Sequence, residues 1–260
     1  MKKRAILFFS LFAMLLLTAC IGDFDTPKVA QQGYFAIELE TDSLVEEVET
    51  RAARELTYEE AKKYLVTLTQ GEEVVWMHKK FEEITQADRT QPLGENYVVM
   101  AEDITEEEAE SANDGWGCRR YAGLSESFSV VSKQTTFVTV PCRMANAGLS
   151  VVFDESFTSY FSDYAVTTDD LRALKFNTNG RIAYYNTDAN GRHNLDIAIS
   201  ASAGWDGTVR LHRSLTLQSG KIIRLKVKLN SPEPTEGNIS LSITYDNTFD
   251  DAGGEEIILE

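Results

Sequence analysis

Alternation is the strongest pattern in the chain. Ile223, Leu225, Val227 and Leu229 alternate with Arg224, Lys226 and Lys228. Ile239, Leu241, Ile243 and Tyr245 alternate with Ser240, Ser242 and Thr244. Leu195, Ile197 and Ile199 obey the same rule, as do Val209 and Leu211 against Arg210 and His212. A period of two places all the apolar residues on one face, as a strand half-buried in an antiparallel sandwich requires. Asn179-Gly180, Asn190-Gly191, Asp206-Gly207, Ser219-Gly220 and Glu236-Gly237 punctuate these runs, and such dipeptides accept the positive φ of tight turns. The second half therefore reads as all-β. One short helix interrupts it: Asp154 can cap a turn on which Phe157, Tyr160 and Phe161 share a face, plugging one end of the sandwich with rings.

The first half is less regular. Phe35, Ile37 and Leu39 mark a first strand, and Thr57 with Glu60 predicts a capping box on a helical turn over 57–64. Strands are predicted over 64–69, 74–81, 97–102, 126–131 and 135–142, with the acidic stretch 102–114 as a solvated loop or helix edge. Six residues, Arg143 to Gly148, separate the strand 135–142 from the next one, 149–153. Two domains must then sit end to end on a short connection. The expected organisation is 1–19 as signal peptide, 20–32 as tether, and 33–143 and 144–260 as two tandem β-sandwiches.

The N-terminus changes where those sandwiches work. Lys2, Lys3 and Arg4 precede an apolar run from Ala5 to Leu17 that only Ser10 interrupts. The run is shorter than the roughly 20 residues that cross a bilayer as a helix, and it has the length of a signal-peptide core. It ends in Leu17-Thr18-Ala19-Cys20, the pattern of a lipobox, in which Cys20 is the lipid attachment site. Acyl chains on Cys20 would hold the mature chain in a membrane at about 0.8 kcal/mol per buried methylene. Ile21-Gly22-Asp23-Phe24-Asp25 resembles the acidic signal that directs lipoproteins of Bacteroidales to the outer face of the outer membrane.

Charge narrows the list of partners. Without its three n-region charges the chain keeps 22 basic against 41 acidic residues, a net charge of −19. Such a surface repels nucleic acid and anionic headgroups. Catalytic chemistry finds no pattern to rest on. The three histidines, His78, His193 and His212, share no metal-ligand spacing, and no nucleophile elbow, phosphate loop or dinucleotide fingerprint is present. Asn186-Thr187-Asp188-Ala189-Asn190-Gly191 opens like a calcium loop, but position twelve is Ile197, so a hairpin turn between 182–185 and 195–199 is the simpler expectation. No metal or other cofactor is expected, and the chain reads as non-enzymatic. Cys118 and Cys142 could pair in an oxidising compartment or serve as two separate small apolar residues. Trp116 and Trp205 lie near turns, where rings can form a platform for surface glycans or can fill a core.

Three blocks carry a family resemblance: the strand 92–101, Pro-Leu-Gly-Glu-Asn-Tyr-Val-Val-Met-Ala; the turn 118–123, Cys-Arg-Arg-Tyr-Ala-Gly; and 138–146, which leads into Val151-Val152-Phe153 and Phe161-Ser162-Asp163-Tyr164-Ala165-Val166. These blocks resemble a Bacteroidales lipoprotein family, a domain of unknown function similar in pattern to fimbrillin-like subunits and anchors of type V pili. The resemblance implies tandem transthyretin-like sandwiches and assembly with other fimbrial subunits by strand exchange, in which a donor strand fills a groove on its neighbour. It further implies proteolytic maturation between Arg51 and Ala52, releasing the first strand, and a donor strand at Ile257, Ile258 and Leu259. The same residues also fit an uncut linker and a terminal triplet docked on its own sheet. Palmitate labelling checks the anchor: the wild-type chain is expected to incorporate label, and Cys20→Ser to lose it completely.

Overall fold

The computed structural model describes residues 31–43, 52–202, 208–229, 241–246 and 256–258, which form eighteen strands and three short helices. Strands dominate, in an all-β sandwich architecture built around two hydrophobic cores.

The first core lies between two layers. In one, β1 (Gln32–Ser43) pairs in parallel with β9 (Thr135–Met144), from Tyr34 opposite Thr135 to Thr41 opposite Cys142. Two short strands, β2 (Ala52–Glu55) and β5 (Thr90–Pro92), flank the other edge of β1. In the other layer, β3 (Leu65–Gln70) lies between β4 (Glu73–Lys80) and β6 (Gly94–Glu102), and β6 also pairs with β7 (Tyr121–Leu124) and β8 (Phe128–Val130). The layers join where Arg143 and Met144 of β9 pair with Ala122 and Tyr121 of β7. Phe35, Ile37 and Leu39 of β1 and Val138 and Val140 of β9 point inward, and across the core they meet Leu68, Tyr97 and Val99.

β10 (Ala147–Phe153) opens the second core only two residues after β9 ends. Its sheet runs in the order β13 (Ile182–Tyr185), β10, β16 (Ile222–Leu229), β17 (Leu241–Asp246), β18 (Glu256–Ile258). The facing sheet is β12 (Lys175–Phe176), β11 (Asp163–Thr168), β14 (Arg192–Ser202), β15 (Thr208–Gln218). Two features differ from the sequence expectation. β10 pairs with β16 in parallel, so each core contains one parallel pair among antiparallel ones. The segments 182–185 and 195–199 are not a hairpin: β13 and β14 lie in opposite sheets, and their loop crosses between the layers. The carboxylate of Asp188 shapes that loop by accepting from the backbone N–H groups of Asn190 (2.8 Å) and Arg192 (2.9 Å), while Gly191 takes a φ of 70°. An Asx-type turn accounts for these residues without an ion.

The helices follow their caps. In α1 (Tyr58–Ala61), Thr57 and Glu60 form the expected capping box. The acidic stretch folds as α2 (Glu106–Gly115), capped reciprocally by Thr105 and Glu108, and its regular turns end where Asn113 and Asp114 adopt φ of 53° and 57°. Asn and Asp tolerate that left-handed region better than most residues. In α3 (Glu155–Thr158), Asp154 accepts from the Ser156 N–H, and Phe157 and Phe161 are buried with ring centroids 4.7 Å apart.

Asp154 also receives the Lys226 ammonium at 3.0 Å. Lys226 first, then Ser156, holds the Asp154 carboxyl down at about 2. Because the folded value is depressed, this contribution is complete above the unfolded carboxyl pKa of about 4 and fades as pH falls toward about 2. Asp154→Asn is expected to shrink the difference between urea midpoints measured at about pH 7 and about pH 3.

Candidate functional site

β1 occupies a slot. On one side, eight consecutive register pairs tie it to β9. On the other, β5 reaches only Gln32–Tyr34 and β2 only Glu40–Ser43, while the Phe35 N–H reaches the Arg89 carbonyl and the Leu39 carbonyl receives the Leu56 N–H. Among the described residues, Ala36 to Glu38 have no ladder partner on that edge. A cavity of about 320 Å³ opens beside this gap, lined by Ile37, Leu39, Leu56, Tyr58, Phe81 and Phe137, with Glu38 and Glu55 among its polar groups.

Local structure positions the walls. Phe137 shares the outward parity of Thr135, Thr139 and Pro141 on β9, and its ring is 80% exposed. The α1 turn sets Tyr58, 61% exposed, over the mouth. That turn is locked by Arg54 of β2, whose guanidinium donates two hydrogen bonds to Glu60 at 2.9 and 2.7 Å. The Arg54 contact, then Thr57, pulls the Glu60 carboxyl down to about 2. The site is thus an apolar groove with an acidic rim beside an incomplete sheet edge. Sequence reasoning missed Tyr58, Phe81 and Phe137. The usable signal was Phe137, an aromatic on the polar parity of an otherwise regular strand.

The expected site residues do not converge. Cys20, Arg51, Trp205 and Leu259 lie outside the described residues. Ala52 starts β2, so the Arg51-Ala52 bond borders the strand that pairs with β1. Ile257 and Ile258 belong to β18, paired with Ile243 and Ser242 of β17 in their own sheet. Cys118 and Cys142 are both free thiols. Burial, followed by the nearby Asp103 carboxylate, pushes the Cys142 thiol up to about 12 and raises that of Cys118 too. Both therefore stay protonated and poorly nucleophilic.

Of the two readings of Trp116, platform or core, the structure gives the core. It is 8% exposed, packs edge-on to Phe176 at 4.8 Å, and carries the Arg181 guanidinium 3.6 Å over its ring. Although the chain reaches it from the first core, it belongs to the second. Backbone contacts seat it: the Tyr184 N–H donates to the Trp116 carbonyl at 2.8 Å, and Arg172 donates to the carbonyls of Gly115 and Tyr184. Gly117, at a φ of 75°, allows this approach, since a Cβ there would meet the Tyr184 oxygen at 2.8 Å.

Beside it, the buried Asn146 donates to the Cys118 carbonyl at 2.7 Å and accepts from the Arg120 N–H at 3.1 Å and, through its own carbonyl, from Gly220. Arg120 in turn grips the buried Glu102 at 2.8 Å, and Glu102 lies 3.3 Å from His78. His193 meets the Asn186 carbonyl instead. No cluster of three or more His, Cys, Asp or Glu side chains able to hold a metal occurs among the described residues.

A family model described as a domain of unknown function, DUF4493, matches residues 31–259. Two similar solved structures are a fimbrial assembly protein from Parabacteroides distasonis and the fimbrial anchor protein Mfa2 from Porphyromonas gingivalis. The first is 10% identical with a TM-score of 0.45, covering 85% of this chain and 97% of its own. The second is 10% identical with a TM-score of 0.39, covering 82% and 98%. No curated protein matches the sequence.

The placement of Trp116 gives a direct check. Trp116→Ala removes a ring from the second core and is expected to lower the unfolding free energy by roughly 3–5 kcal/mol. Guanidinium unfolding measures this, and a loss below about 1 kcal/mol would mean that the ring is not packed as described.

Proposed function

We propose, for a chain that belongs to the DUF4493 family, a non-catalytic role at the cell surface as a lipid-anchored adhesion component or fimbrial anchor. The lipobox at Cys20 supplies the hook, and the segments 33–143 and 144–260 act as two tandem sandwich domains. The observation that carries the reading is the slot around β1. Its inward row of Phe35, Ile37, Leu39 and Thr41 completes the first core, and among the described residues its outer edge is paired only at the two ends, beside an apolar groove. A strand from another subunit would find unpaired backbone and apolar pockets together, which is what β-augmentation uses.

The connection between β1 and β2 holds Arg51, and this position sets the alternatives. Cutting after Arg51 frees β1 and, with it, everything attached to Cys20, so a cut chain leaves its lipid behind. An uncut chain keeps both and acts as the anchor. The C-terminal Ile257, Ile258 and Leu259 are the proposed donor strand, which must first leave β17.

Cross-linking on whole cells tests the exchange. Deleting 257–260 is expected to remove the ladder of assemblies larger than a dimer, and an unchanged ladder overturns the reading. Intact mass of the native chain then assigns the role: a start at Ala52 marks a matured subunit, a start at lipidated Cys20 an anchor.

A further inference from the structure

The negative charge of the chain is unevenly spread. Of its 41 acidic residues none falls between Thr208 and Leu229, a stretch that holds Arg210, Arg213, Lys221, Arg224, Lys226 and Lys228. β15 and β16 are built from this stretch. On β16, Lys226 is answered by Asp154. On β15, neither Arg210 nor Arg213 has an ion pair among the described residues.

β15 is also the last strand of its sheet. Eleven consecutive register pairs, from Arg192 opposite Gln218 to Ser202 opposite Thr208, tie it to β14 without a bulge. Among the described residues no strand pairs with its other side. A regular edge of this kind is a template for an added strand. Its sheet has four strands and the facing sheet five, so one more strand here would even the two layers.

Parity makes this edge selective. Leu215 and Leu217 lie on the side of β15 that faces the second core and are buried, and Arg213 shares that side. Its Nε is shielded from water and finds no acceptor, while one Nη turns back to the carbonyl of its own neighbour, His212, at 3.2 Å. Arg210 and His212 stand exposed on the opposite face. A charge on the inward side of an edge strand turns away apolar strands. A strand with a carboxylate at that position meets an attraction instead, as opposite charges do across a ladder.

We propose that the free edge of β15 docks an extended acidic segment of a partner polypeptide, added as a fifth strand with carboxylates opposite Arg210 and Arg213. Residues opposite each other in a ladder share a face, and successive residues alternate between faces. The two carboxylates therefore stand three residues apart in the partner, one on each face, and the position opposite Leu211 is apolar. Ladder hydrogen bonds give affinity, and the side chains give the choice of partner. This edge is separate from the β1 slot, whose rim is acidic where β15 is basic.

Fluorescence anisotropy of the full chain in detergent tests the proposal with synthetic peptides. The probe is a labelled threonine–valine peptide of about nine residues, a long strand's length, with two glutamates three residues apart. It is expected to bind with a Kd below about 1 mM, and a peptide with lysines in place of the glutamates is expected not to bind. Arg210→Glu/Arg213→Glu should weaken the glutamate peptide by about tenfold or more and admit the lysine peptide, because each swap opposes like charges or unlike ones. N-methylation of alternate backbone nitrogens in the glutamate peptide should abolish binding. Circular dichroism verifies that the variant is folded. No binding of the glutamate peptide at about 1 mM, equal binding of the lysine peptide, or equal binding of the N-methylated one would each overturn the proposal. So would self-association of the chain alone that the double variant dissolves, since a second copy would then be the occupant.

Discussion

The parallel pairing of β1 with β9 is the constraint on which the first core depends. β1 supplies one inward row, β9 supplies the adjacent one, and Leu68, Tyr97 and Val99 close over both. Without β1, the Val138 and Val140 side chains would face water and a full strand edge would open beside them. The second core repeats the device, with β10 parallel to β16. In each case the strand that opens the core pairs with one much later in the chain. Neither core can close until its late strand is in place, which makes both folds rich in long-range contacts.

The two cores are joined by more than the short step from Met144 to Ala147. α2 leaves the first core, and the chain that follows it delivers Trp116 into the second. Asn146 then links Cys118, Arg120 and Gly220 around a buried Arg120–Glu102 pair. Removing one member of such a pair strands a charge away from water, and this is more disruptive than the pair is stabilising. The junction is therefore specific in geometry, built from groups that must all be satisfied together.

Much of this was legible. Alternation located β1, β14, β15 and β16, the Asn-Gly pairs located turns, and the Thr57–Glu60 and Asp154 caps located α1 and α3. Thr105 and Glu108 obey the same capping rule and would have located α2. What alternation cannot give is partnership. It assigns a face to Tyr185 and to Leu195, not the sheet each joins, so an arch between sheets read as a hairpin. The parallel pairs were hidden for the same reason. Trp116 was left open between platform and core because proximity to a turn says nothing about which core a ring will reach. The groove was read only in part: alternation located β1, but Tyr58 and Phe81 reach the cavity through a helical turn and a 3-10 turn whose docking no local pattern encodes.

One consequence follows from the direction of the first strand. β1 begins at Gln32 and β9 leads through Met144 into the second core, and the two run the same way. A pull that arrives through Gln32 and is resisted beyond Met144 acts along both strand axes in opposite senses. Such loading is shear: the hydrogen bonds of the ladder share the force instead of parting one after another, as they would if peeled from an end. The strand whose free edge borders the groove is thus also the one oriented to resist being torn out lengthwise.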